Sequence, residues 1–170
     1  MTSRNIFNRS YTSYTSNGSQ VWLVNGGGTT SSYMSPYVLF AGENLTQGDI
    51  VYTSGNSLAV KATALSGAAT AFYYPIGAAA ETVTAGSQVQ VNLDGVVVVT
   101  GANITDGTQL VPGTDYFLSK YKGQITPYST GSGIISASGL NQYGALVRIG
   151  RAISTSELEI EIQPPIPLVS

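Results

Sequence analysis

Cysteine and histidine are both missing from the 170 residues. Without cysteine there is no disulfide, no thiolate nucleophile and no sulfur-ligated zinc. Without histidine the commonest general base, triad partner and metal ligand is gone as well. Charge is scarce too: Asp, Glu, Lys and Arg make up 9% of the chain, against about a quarter in an ordinary soluble domain. A formal charge of −2 argues against a general nucleic-acid binder. No apolar run reaches transmembrane length, and the opening Met1-Thr2-Ser3-Arg4-Asn5 is too polar for a signal peptide, so no membrane partner is expected. Asn-x-Ser/Thr triplets begin at Asn8, Asn17, Asn44 and Asn103, which in so Ser/Thr-rich a chain is most simply chance.

Ser, Thr, Gly, Asn and Gln take the place of the missing charge, alongside 42% hydrophobic residues and 11 tyrosines. That is the profile of a β protein whose neutral polar surface suits packing against other protein. The most informative stretch is Gly86–Gly101, GSQVQVNLDGVVVVTG. Val89, Val91 and Leu93 alternate with Gln88, Gln90 and Asn92, so one face of a strand is apolar and the other polar. Asp94-Gly95 reads as a type I′ hairpin turn, and the continuous Val96–Val99 as a strand covered on both faces.

Residues 1–40 read as an extended N-terminal arm, mildly basic through Arg4 and Arg9 and rich in Ser, Thr and Tyr. Its one strand candidate is Val21–Val24, between Asn17-Gly18 and Gly26-Gly27-Gly28. Ordering such an arm costs roughly 1–2 kcal/mol per residue. Its sparse hydrophobic groups fit either a disordered terminus or an arm that orders across a partner, with Tyr and Trp as anchors. From residue 41 short strands follow one another with turn signals every ten or so residues, an all-β pattern. Ser154-Thr155-Ser156-Glu157 imitates a helix capping box, but the Leu158/Ile160/Ile162 alternation overrules a helix.

One half of this domain echoes the other. Leu45-Thr46-Gln47-Gly48-Asp49 resembles Leu110-Val111-Pro112-Gly113-Thr114-Asp115, each followed by an apolar triplet. Tyr74-Pro75-Ile76-Gly77-Ala78-Ala79 resembles Val147-Arg148-Ile149-Gly150-Arg151-Ala152, and Val89–Leu93 matches Leu158–Ile162 in its alternation. Either this is chance among short β-turn strings or it is an internal pseudo-repeat. The expected architecture is all-β: a single antiparallel β-barrel or sandwich, jelly-roll-like, over residues 41–163, its halves joined through Val96–Val99. Residues 164–170 are expected to form a Pro-rich C-terminal strap.

Little in the chain points to chemistry. Asp94 and Asp106 precede glycines in turns, and Glu157, Glu159 and Glu161 line one strand face that needs solvent, a cation, or Lys120, Lys122, Arg148 and Arg151 opposite. No Asp-x-Asp-x-Asp-Gly loop for calcium is present. Gly26-Gly27-Gly28-Thr29-Thr30 has neither the lysine nor the following helix of a phosphate loop. No catalytic residue, metal or cofactor is expected, and the chain does not read as an enzyme. Tyr73 and Tyr74 with the Gly131–Gly139 loop would suit stacking on sugar rings, or else filling seams between subunits.

The strings GDIVYTSGNSLAVKATA, YYPIGAAAETVTAGSQVQVNLDGVVVV, LVPGTDYFLSKYKGQIT and LVRIGRAISTSELEIEI resemble β-barrel domains of tailed-bacteriophage virion proteins. Such modules occur in capsid decoration (cement) proteins and in head or tail fibres. The resemblance covers residues 44–162 and implies a structural protein, often trimeric, made in the host cytoplasm and exposed on the capsid surface. The expectation that follows is a cement protein whose partners are the major capsid protein and its own copies. The arm residues expected to grip the shell are Arg4, Ile6, Phe7, Arg9, Tyr11, Tyr14 and Trp22. The alternative is a tail or fibre protein that recognises carbohydrate.

Overall fold

The computed structural model describes residues 11–16, 19–24, 37–55, 57–105, 107–128 and 142–168. They fall in two units, Met1–Ser35 and Pro36–Ser170. In the first, β1 (Tyr11–Ser16) and β2 (Ser19–Val24) form an antiparallel ladder from Tyr11↔Val24 to Ser16↔Ser19. The strand expected at Val21–Val24 therefore exists, and it has a hairpin partner. The second unit begins earlier than residue 41, because Tyr37–Ala41 is already one of its strands.

Five strands of that unit close a barrel in the order β3-β5-β4-β6-β7: β3 (Tyr37–Ala41), β4 (Ile50–Ser54), β5 (Leu58–Lys61), β6 (Gly77–Ala79) and β7 (Gln88–Asn92). Leu39, Ala41, Leu45, Val51, Ala59, Ala79, Val89 and Val91 fill its interior. Each buried Val or Leu there contributes about 1.5–3 kcal/mol of gross stabilisation. Ile50 and Tyr52 point the other way, into a second core, so β4 is buried on both faces.

The other five long strands form a sheet in the order β10-β9-β12-β13-β8. They are β8 (Gly95–Val98), β9 (Asp115–Leu118), β10 (Ile125–Pro127), β12 (Arg148–Ala152) and β13 (Glu157–Ile160). The alternation read at Leu158 and Ile160 holds, with both side chains buried between more open glutamates. The C-terminal strap contributes β14 (Ile166–Pro167), which pairs antiparallel with β11 (Ala145–Leu146), and Leu168 N–H donates to Gly144 C=O over 3.0 Å. A proline without an N–H suits so short an edge pairing.

The two sets of strands share one topology. Gly48 N–H donates to Ala79 C=O over 2.8 Å, and Gly113 N–H to Ala152 C=O over 2.7 Å. Asp49 N–H turns back to Thr46 C=O as Thr114 N–H does to Val111 C=O, with Gly48 and Gly113 at φ +87 and +81. Gly77 and Gly150 sit so close to the neighbouring strand that a Cβ would stand 2.1 Å from Asn92 O and 2.0 Å from Glu159 O. Where β3 and β5 run parallel to close the barrel, the sheet has a single parallel bridge, Ile104↔Ile125. Gly42 N–H to Ala59 C=O matches Thr105 N–H to Ile125 C=O, both at 2.9 Å. The echo between the halves is therefore a repeat of backbone structure.

Three expectations are corrected here. Asp94-Gly95 is no hairpin: β7 pairs with β3 and β6, and β8 pairs with β13, so the turn carries the chain from the barrel into the second sheet. Gly95 has φ +78, but Ser57 is the lone non-glycine with positive φ among the described residues, and a type I′ turn needs two such positions. Val96–Val99 is not covered on both faces. Val97 and Val99 are buried, while Val96 and Val98 are exposed along the sheet's edge. The repeat itself runs in a different register: Ala79↔Val91 corresponds to Ala152↔Leu158, so Leu158 matches Val91 and not Val89.

A polar clasp ties the two halves together. Asp49 is 4% exposed; its carboxylate meets Lys61 Nζ at 2.9 Å and accepts Thr46 N–H and Asn103 Nδ2 at 2.8 and 2.9 Å. Asn103, also buried, turns its Oδ1 to the backbone N–H and hydroxyl of Thr100. Every partner here is inside the protein, which is what a buried carboxylate requires.

Candidate partner-binding surfaces

Of the arm residues expected to grip a partner, Arg4, Ile6, Phe7 and Arg9 lie outside the described residues. Tyr11 and Tyr14 occupy β1 opposite Val24 and Val21, and Trp22 occupies β2 opposite Ser13. The β1–β2 ladder thus gathers three of the seven into one hairpin.

Among the described residues, nothing covers an apolar face of the barrel. On β3, Tyr37, Val38 and Phe40 are 46, 39 and 48% exposed, while Leu39 and Ala41 point inward. Val38 and Phe40 face outward and pair in register with Gln90 and Gln88 of β7, so this outward stripe carries no charge of either sign, while Tyr37, opposite the buried Val91, is exposed at the start of the strand. Leu93, just beyond β7, is also exposed. A run of aromatic and aliphatic side chains rimmed by amides is the composition of a protein-contact surface.

A groove of about 330 Å3 opens on the second sheet, lined by Thr114, Asp115, Phe117, Tyr128 and Leu146. β9 alternates about the buried Tyr116, so Asp115 and Phe117 share its outer side. Antiparallel pairing with β10 brings Tyr128 alongside, with the Phe117 and Tyr128 rings 5.4 Å apart and tilted by 42°. Arg148 stands at the rim between two acids: NH2 is 3.0 Å from Asp115 Oδ1 and NH1 2.7 Å from Glu161 Oε2. The hydrogen bond to Glu161 holds the guanidinium above its ordinary pKa; burial works against this, and Asp115 adds to it.

The acids read as a solvated strand face divide accordingly. Glu161 joins Arg148, Glu159 lies opposite Arg151 in register, and among the described residues no group of three acids is placed to hold a metal ion. Tyr73 donates its hydroxyl to Leu65 C=O over 2.8 Å and packs against Gly144, which is a structural position. Tyr74 is exposed beside it, and the loop expected to complete that pair lies outside the described residues. Reading the sequence missed Phe117 and Tyr128; the usable signal was the Asp115/Phe117 alternation around Tyr116.

No family model matches the chain, and no curated protein matches it. Among solved structures it is similar to the N base of the head fibre protein gp8.5 of bacteriophage phi29. The two share 15% sequence identity, the match covers 75% of this chain and 93% of that one, and the TM-score is 0.41.

Proposed function

We propose that this chain is a structural protein of a bacteriophage particle, bound to the outside of the head, where it cements neighbouring shell subunits. The observation that carries this reading is the uncharged outward stripe of Val38 and Phe40 on β3, with Tyr37 exposed at the start of the strand. A surface of that kind suits a broad protein partner rather than a small solute. The resemblance of residues 44–162 to virion β-barrels supports the same reading. In this account Arg4 and Arg9 meet acidic shell surface, and Ile6, Phe7, Tyr11, Tyr14 and Trp22 fill grooves between subunits. The partners are the major shell protein and further copies of this chain, as a homo-oligomer.

The mechanism is mass action. A protein that binds only the assembled shell stabilises it, by about 2.7 kcal/mol per site at a hundredfold excess over Kd. The test is co-sedimentation of the whole chain, and of residues 36–170 alone, with heads purified without it. The whole chain is expected to pellet with the heads and to raise their heat-disruption temperature, while residues 36–170 bind weakly. Equal binding by both would remove the arm from the mechanism. Binding by neither would contradict the placement on the head.

A further inference from the structure

The internal repeat supplies its own control for what the fold demands. Val51↔Gly77 and Tyr116↔Gly150 are equivalent pairs, so Ile50 corresponds to Asp115 and Tyr52 to Phe117. By the same ladders Lys61 corresponds to Pro127, and Ala62 to Tyr128. In the first repeat Ile50, Tyr52 and Ala62 are buried in the core shared with the second sheet. In the second repeat the same three positions hold a carboxylate and two rings, and they line the open groove. Closing a five-stranded repeat does not require that set of side chains, and an apolar set serves at the equivalent place.

We propose that this groove binds a neutral saccharide, with Phe117 and Tyr128 against a sugar ring and Asp115 accepting hydrogen bonds from its hydroxyls. A pyranose has an apolar C–H face and a polar hydroxyl edge, and the groove offers the complement of each. Tyr128 is 43% exposed, so its ring is available to a ligand. Asp115 gives Oδ1 to Arg148, which leaves Oδ2 as an acceptor, and Thr114 adds a hydroxyl on the groove wall. Arg148, the cation in contact with Asp115, is already held by two carboxylates and so is not free for a phosphate or a uronic acid. The volume lies at the small end of ligand sites, which run about 300–1,000 Å3, and fits a short glycan segment. This proposal is independent of where the protein sits on a particle, because the test uses the isolated chain.

The experiment screens the whole chain on an array of neutral and acidic bacterial glycans, then measures the best neutral hit by saturation-transfer NMR. The expected Kd is on the order of 1 mM. Tyr128→Ser and Asp115→Asn should each weaken it about tenfold, or 1.4 kcal/mol, with an unchanged urea midpoint for Tyr128→Ser showing that the fold is intact. A silent array, a hit confined to acidic glycans, or full affinity in Tyr128→Ser would each overturn the assignment. So would concentration-dependent self-association that Tyr128→Ser abolishes without any glycan binding, since the groove would then belong to a second copy.

Discussion

Asn103 donates its side-chain N–H to Asp49 over 2.9 Å, across 54 residues of sequence, and so joins the barrel to the second sheet. Both residues are buried, and Lys61 completes the arrangement from β5. Removing one partner of such a buried pair leaves the other uncompensated. Asp49→Ala should therefore cost about 3–5 kcal/mol, and Asn103→Ala about 1–3 kcal/mol. Urea unfolding of the two single variants and the double variant measures this. The double variant should cost clearly less than the sum, because the two share one interaction. Strict additivity would show that the clasp is not a unit.

The repeat makes a paired prediction. Gly77→Ala and Gly150→Ala each drive a methyl into a backbone carbonyl of the adjacent strand, and each should destabilise by about 1–3 kcal/mol or more. Gly55 has open space around its Cβ position, so Gly55→Ala is the control and should be neutral or slightly stabilising. Thermal melts compare the three. Tolerance of alanine at either close-approach glycine would contradict the equivalence of the two ladders.

β8 separates its valines sharply. Val97→Ala should cost about 1.5–3 kcal/mol through lost burial and the cavity left behind, whereas Val96→Thr and Val98→Thr should stay within about 0.5 kcal/mol. Denaturant midpoints distinguish these outcomes. A large loss at Val96 or Val98 would mean that something covers the β8 edge in solution.

Stability should be flat in mildly acidic solution. The chain has no histidine, so no side chain of ordinary pKa titrates between about pH 5.5 and 7. Arg148 does not alter this. Its pKa is raised, by the hydrogen bond to Glu161 first, so its contribution is complete below the ordinary guanidinium range and is lost only as pH rises through the still higher folded value, far above this window. The urea midpoint measured at several pH values across that window should not move; a steady slope would reveal an ionisable group shifted far from its ordinary range.

Most strands beyond residue 41, their approximate order and the repeat were legible in the sequence, because period-two alternation and Gly-Asp turns are local signals, whereas β1 and β3 were not. What was not legible was which edges pair. Asp94-Gly95 has the composition of a hairpin turn, but β3 and β6 already occupy both edges of β7, so the chain leaves for β13. The repeat register was off by two residues for a related reason. A shift of two leaves an alternating pattern unchanged, and only the ladder Ala152↔Leu158 settles it. Asp49 carried no local mark of burial, since its partners Lys61 and Asn103 reach it through the fold. The groove was hidden in the same way: Phe117 and Tyr128 become neighbours only through the β9–β10 ladder.

The most direct test of the central claim is the number of copies of this chain per purified particle, relative to the major shell protein. A protein that cements the head should be present in numbers comparable to the shell subunit, and should leave with the heads when tails are removed. A handful of copies that stay with a fibre or tail would contradict that placement, and absence from particles would contradict the virion reading as a whole.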